Sequence, residues 1–221
     1  MNSTIDPRPA GRPFSPKQNL PNGATLQDAT TWLRSCGVIA EAVQVGEMVP
    51  EFHLNNATGD HIDLGPLLDR GPVVITFILG AGSSTCRASL RALQARLPEI
   101  TKHRATLVAI TPDPPPASRA LVEELHLGFD LLVDGRNQLA QLFGLAYETP
   151  EPRVIWLQLL GLDDPHWPLP AVLVLPATYI VDTDGIASYA FLEPDPTRRV
   201  EPDVLLAALP SFAFQDNRRI G

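Results

Sequence analysis

The sequence predicts an α/β fold, a mixed central β-sheet flanked by helices, on three observations. Val73-Val74-Ile75-Thr76-Phe77-Ile78 is a short, β-branched apolar run, the pattern of a strand covered on both faces. Comparable runs at 105–111 and 130–134 alternate with segments whose apolar residues recur every third or fourth position. The C-terminal part reads as a hairpin turning at Thr183-Asp184-Gly185, followed by a helix over Glu201 to Leu209.

Taken in order, residues 1–24 form a flexible or extended arm, with prolines at 7, 9, 13, 16 and 21 and few large apolar side chains. Residues 25–44 form an N-terminal helical segment, in which Leu26, Ala29, Trp32 and Leu33 share a face before Gly37 interrupts it. The main domain covers 45–210. It opens on a turn into an edge strand ending near Leu54; Asn55 to Asp60 make a hairpin turn, and His61 to Leu64 return. A short helix over Pro66 to Asp69 leads to Gly71-Pro72, which launches the central strand. After the loop Gly80 to Thr85, a helix carries Leu90, Leu93, Leu97 and Ile100 as one stripe. The Pro112–Pro116 run ends the 105–111 strand, and Ser118 or a neighbour caps a helix to about Leu125. Asn137 to Phe143 is a short helix stopped by Gly144. Residues 151–164 read as an apolar helical insertion, covering either the core or a partner. Val172 to Asp182 then brings the chain back into the sheet, and 211–221 form a tail.

Composition narrows the function classes. The 221 residues are 44% apolar, enough for one sizeable core, and the net charge of −8 argues against nucleic acid or an anionic membrane as partner. No apolar stretch has the length of a membrane span, and the first residues do not read as a secretory signal. Two cysteines are too few for a disulfide scaffold and lack the spacing of a zinc site, so a reducing cytoplasm is the expected location. The five histidines are scattered without metal-ligand spacing and read as surface or structural residues. No metal and no organic cofactor is expected. Gly80-Ala81-Gly82 lacks the continuation of a phosphate loop.

Cys86 is the chemical centre. It falls in the first turn of a helix directly after the central strand, where unpaired amides and the positive end of the helix dipole favour a thiolate. Ser83 and Thr85 supply hydroxyls beside it, and Arg87 is an adjacent cation. Cys36 reads either as a small buried apolar side chain or as a resolving partner for Cys86, which sequence cannot place within disulfide range.

Several segments together resemble the AhpC/TSA group of peroxiredoxins, over about Val45 to Leu209. They are Val45-Gly46-Glu47-Met48-Val49-Pro50-Glu51-Phe52, Gly71-Pro72-Val73-Val74, Leu107 to Thr111, and Pro176-Ala177-Thr178-Tyr179-Ile180-Val181-Asp182-Thr183-Asp184-Gly185. The branch it looks most like carries F-Y-R-G-x-W-C-P-Y-C at its active site. Phe77, Gly80 and Cys86 stand at that motif's phenylalanine, first glycine and second cysteine, while Ser83 replaces its first cysteine and Gly82 its tryptophan. Against P-x-x-x-T-x-x-C, Cys86 falls on the peroxidatic cysteine, Ser83 on the threonine and Leu79 on the proline. The family's late arginine falls on Pro176, and Arg87 or Arg153 are the candidate substitutes.

The resemblance implies a thioredoxin-like fold, with Cys86 attacking a small hydroperoxide and Ser83 and Thr85 hydrogen-bonding peroxide or thiolate. It also implies a cis-Pro176 beside the sulfur and Thr178 in the site wall. An external thiol reductant of the glutathione or thioredoxin type would complete a single-cysteine cycle, and a homodimer fits the family. Two alternatives stand beside it: a redox-degenerate binding or assembly module whose cysteine is structural, and another thiol-based enzyme on the same scaffold.

Overall fold

The computed structural model describes residues 13–15, 24–148, 171–195 and 197–210. Its centre is a five-stranded mixed sheet of order β5-β4-β3-β8-β9, built from β3 (Val73–Phe77), β4 (Thr106–Thr111), β5 (Asp130–Val133), β8 (Ala177–Val181) and β9 (Ala187–Leu192). β4 and β5 run parallel to β3, whereas β8 and β9 run antiparallel. Every residue of β3 is buried, as its continuous apolar run requires of a central strand. Alternation assigns the two faces. Ile75, Phe77 and Tyr179 join Phe143 in one core, with Phe77 and Phe143 ring centroids 4.9 Å apart. Val74 and Ile180 pack instead with Leu93, Ile100, Val200 and Leu205.

The helices follow the sequence signals with some shifts. α1 (Leu26–Ser35) begins in a capping box: Thr25 accepts from the Asp28 amide, and the Asp28 carboxylate accepts from the Thr25 amide. Gly37 takes φ +95° and separates it from α2 (Val38–Glu41). β1 (His53–Asn55) and β2 (His61–Asp63) form a separate hairpin, turned by Asn56, whose side-chain oxygen accepts from the amides of Thr58, Gly59 and Asp60. α3 (Leu64–Leu68) precedes the central strand.

The helix after the central strand is not continuous. α4 (Ser84–Ala95) stops at Arg96 and α5 (Leu97–Lys102) restarts, because Pro98 offers no amide to the preceding turn but fits the opening of a new helix. α6 (Pro115–Leu125) also starts earlier than expected. Pro114 is its N-cap residue, and Ser118 lies inside the helix, its hydroxyl donating to the carbonyls of Asp113 and Pro114. α7 (Gln138–Leu142) ends before Gly144, where a Cβ would fall 1.9 Å from the Glu41 carbonyl oxygen.

Residues 172–182 are two strands rather than one. β7 (Val172–Val174) leaves the central sheet to pair with β6 (Ala146–Glu148), a strand the sequence pattern does not disclose. The chain re-enters the central sheet only at Ala177, with the buried Pro176 in the break between. α8 (Pro202–Ala208) closes the described fold. Of the 1–24 arm only 13–15 and 24 are described; there Phe14 exchanges backbone hydrogen bonds with Ala146 and Glu148. The 151–164 insertion, Arg153 and the 211–221 tail lie outside the described residues.

Candidate active site

Cys86 occupies the first turn of α4 and is fully buried. The turn exists because Ser83 is the N-cap. Its backbone is extended, and its hydroxyl oxygen accepts from the Cys86 amide at 3.3 Å. The Cys86 Sγ in turn accepts from two donors. The Leu79 amide points at it from 3.4 Å, just beyond the end of β3, and Arg199 Nη2 lies 3.2 Å away. A main-chain N–H and a guanidinium on one sulfur make a site arranged for an anionic acceptor.

Arg199 comes from the segment between β9 and α8, and local chemistry fixes that segment. Glu193 pairs with both Arg34, at 3.1 Å, and Arg198, at 3.0 Å. The Asp195 carboxylate accepts from the amide and hydroxyl of Thr197. Val200, the next residue, is anchored in the core beside Leu205. Arg199 Nη1 donates to the Arg198 carbonyl at 2.8 Å, leaving Nη2 for the sulfur.

The loop before α4 is held from beneath by Asp113. One of its carboxylate oxygens accepts from the Ala81 amide at 2.6 Å and from the Thr111 hydroxyl at 3.0 Å. Burial raises the Asp113 carboxyl above the usual carboxylate range, against the pull of those two hydrogen bonds. Gly80 makes the approach possible. It takes φ +130°, and a Cβ there would lie 2.8 Å from the Asp113 carboxylate.

Of the sequence-nominated residues, Ser83 and Thr85 share the turn that carries Cys86. Thr85 lines a groove of about 510 Å³ between α4 and the 197–204 segment, with Ser89, Tyr189, Phe191 and Arg199 among its other walls. Pro176 adjoins Ala177, the register partner of Phe77, and so stands at the edge of the sheet from which the Cys86 loop leaves. Thr178 shares a hydrogen bond with Thr76 at 3.0 Å and faces the side of the sheet on which Val74 and Ile180 lie. Arg87 is engaged elsewhere: its guanidinium pairs with Glu124 and donates to the Ala81 carbonyl at 3.4 Å.

Cys36 caps the C-terminus of α1, and its thiol donates to the Leu33 carbonyl. Burial pushes that thiol up, away from the reactive thiolate form. Both cysteines are free. Sequence reasoning missed Arg199 and Asp113. The Arg198-Arg199 doublet before the last helix was the available signal for one, and Asp113 was hidden among the prolines that end a strand.

A family model described as the AhpC/TSA family matches residues 45–190 of this chain. A Helicobacter pylori protein, bcp, provisionally named a peroxiredoxin, is 25% identical over 152 residues, covering 68% of this chain and 89% of that protein. Among solved structures, the peroxidoxin BcpB of Mycobacterium tuberculosis superposes with a TM-score of 0.62 at 25% identity, covering 76% of this chain and 96% of that one. Reduced Prx3 of Vibrio vulnificus, solved in complex with hydrogen peroxide, has a TM-score of 0.61 at 17% identity. It covers 76% of this chain and 99% of that one, and at that identity the likeness is one of fold.

Proposed function

This chain belongs to the AhpC/TSA family, and from that premise we propose that it is a thiol peroxidase in which Cys86 alone carries the oxidation chemistry. The observation that carries the reading is the pair of donors on Cys86 Sγ, Leu79 N–H and Arg199 Nη2, at the first turn of α4. The deprotonated sulfur attacks one peroxide oxygen. An S–O bond forms, the O–O bond breaks, and the second oxygen leaves as water or an alcohol after taking a proton. Cys86 is left as a sulfenic acid. One external thiol then displaces water from the sulfenic sulfur, and a second releases Cys86 by thiol–disulfide exchange. The electrons come from the external thiol pair, of the glutathione or thioredoxin type.

The remaining residues take supporting roles in this scheme. Ser83 holds the helix turn and presents its hydroxyl beside Cys86, Thr85 stands at the groove, and Thr178 with Pro176 forms the wall towards β8. Cys36 takes no part, because its thiol is pushed up by burial and bonded to Leu33. Cys86 is fully buried, so peroxide must displace side chains that cover the sulfur to reach it. The same burial favours the rival reading, a binding module whose cysteine is structural.

Stopped-flow oxidation by hydrogen peroxide with a sulfenic-acid trap separates the two. The peroxidase reading expects oxidation of Cys86 far faster than that of free cysteine, abolished in Cys86→Ser and unchanged in Cys36→Ser. Oxidation at the rate of an ordinary thiol would sink it.

A further inference from the structure

The β1–β2 hairpin carries a cluster unrelated to the cysteine site. Its register sets His53 opposite Asp63 and Asn55 opposite His61, and period-two alternation turns His53, His61 and Asp63 to one face. Asp63 Oδ1 lies 2.7 Å from His53 Nδ1 and 3.1 Å from His61 Nε2. The two imidazole rings are nearly parallel, 6° apart in plane. Asn55 Oδ1 lies 3.1 Å from His61 Nδ1. If that nitrogen carries the ring proton and donates to Asn55, Nε2 has the lone pair, and it faces a carboxylate oxygen that also offers only lone pairs. A proton on Nε2 or a metal ion resolves that opposition, and a hydrogen-bonded outer nitrogen is the usual support of a metal-bound imidazole.

We infer that His53 Nδ1, His61 Nε2 and the Asp63 carboxylate form a binding site for a divalent transition-metal ion of the zinc class. Donor chemistry selects the class, since two imidazoles with one carboxylate suit zinc and its neighbours rather than magnesium or calcium. The spacing agrees. Ligand atoms ~2.0–2.2 Å from one ion stand roughly 2.8–3.6 Å apart at octahedral or tetrahedral angles. The three donor atoms here lie within 4.8 Å of one another, with the carboxylate oxygen 2.7 and 3.1 Å from the two ring nitrogens. Both histidine side chains are more than half exposed, so water completes the coordination sphere and the ion enters directly from solvent. Because the ligands come from both strands, the bound ion cross-links the hairpin.

The test is a zinc titration of the untagged, reduced full-length chain at neutral pH, followed through histidine-ring nitrogen resonances. The expected result is saturation at one equivalent in the micromolar range, shifting the rings of His53 and His61 and not those of the other three histidines. His61→Ala and Asp63→Asn should each weaken binding about tenfold or more while leaving the circular dichroism unchanged, and Asn55→Ala should weaken it less. Shifts spread over all five histidines would overturn the inference. So would unchanged affinity in His61→Ala, or binding lost only when Cys36 and Cys86 are replaced by serine.

Discussion

In the proposed peroxidase, Arg199 is the residue on which the chemistry of Cys86 turns, because it brings a full positive charge to within 3.2 Å of the sulfur. The neighbouring Arg87 spends its charge on Glu124. Replacing Arg199 by leucine removes a charged donor in a buried site, an interaction worth about 1.5–3 kcal/mol. That corresponds to a roughly 10- to 150-fold slower oxidation of Cys86. Arg199→Lys retains the charge without the planar fork and should fall between the two. Peroxide oxidation rates of the three proteins check the order. Equal rates in all three would remove Arg199 from the mechanism.

At the scale of the element, the site is the junction of β3 with α4. The strand ends, Gly80 turns the chain over the Asp113 carboxylate, and Ser83 caps the helix that carries Cys86. Ser83→Ala leaves the Cys86 amide without its acceptor and should cost about 0.5–2 kcal/mol of folding stability, read by chemical denaturation. It should also slow Cys86 oxidation. Ser83→Thr, which keeps the cap, should preserve both. An alanine variant as stable as the parent would show that the cap contributes nothing to this helix.

For the whole molecule, two buried carboxyls at the C-terminal end of the sheet shape the response to pH. Burial raises both Asp113, after β4, and Asp134, after β5, above the usual carboxylate range. The folded chain therefore keeps protons that the unfolded chain has already released. Stability contributed by these groups is present at low pH and is lost as pH rises through their raised values. Asp113→Asn removes one share of that loss. Its melting temperature should gain on the parent's between pH 4 and pH 7. The opposite trend would mean that the hydrogen bonds from Ala81 and Thr111 outweigh the burial of the charge.

The sequence by itself determined the central sheet and the place of Cys86. Val73 to Phe77 can only be an interior strand, and the spacing from there through Gly80 and Ser83 puts Cys86 in the first turn of a helix. Both follow from patterns a few residues long, which local backbone geometry reads without help. Tertiary structure decided what surrounds that cysteine. Arg199 lies 113 residues away in sequence and arrives through the pairing of β9 with β8 and the anchoring of Glu193 and Val200. Asp113 reaches the loop because β4 lies beside β3, and the histidines meet Asp63 because of a hairpin register. The boundary between α4 and α5 and the departure of β7 belong to the same class. They depend on which neighbour completes each segment's hydrogen bonds, and hydrophobic periodicity carries no record of the neighbour.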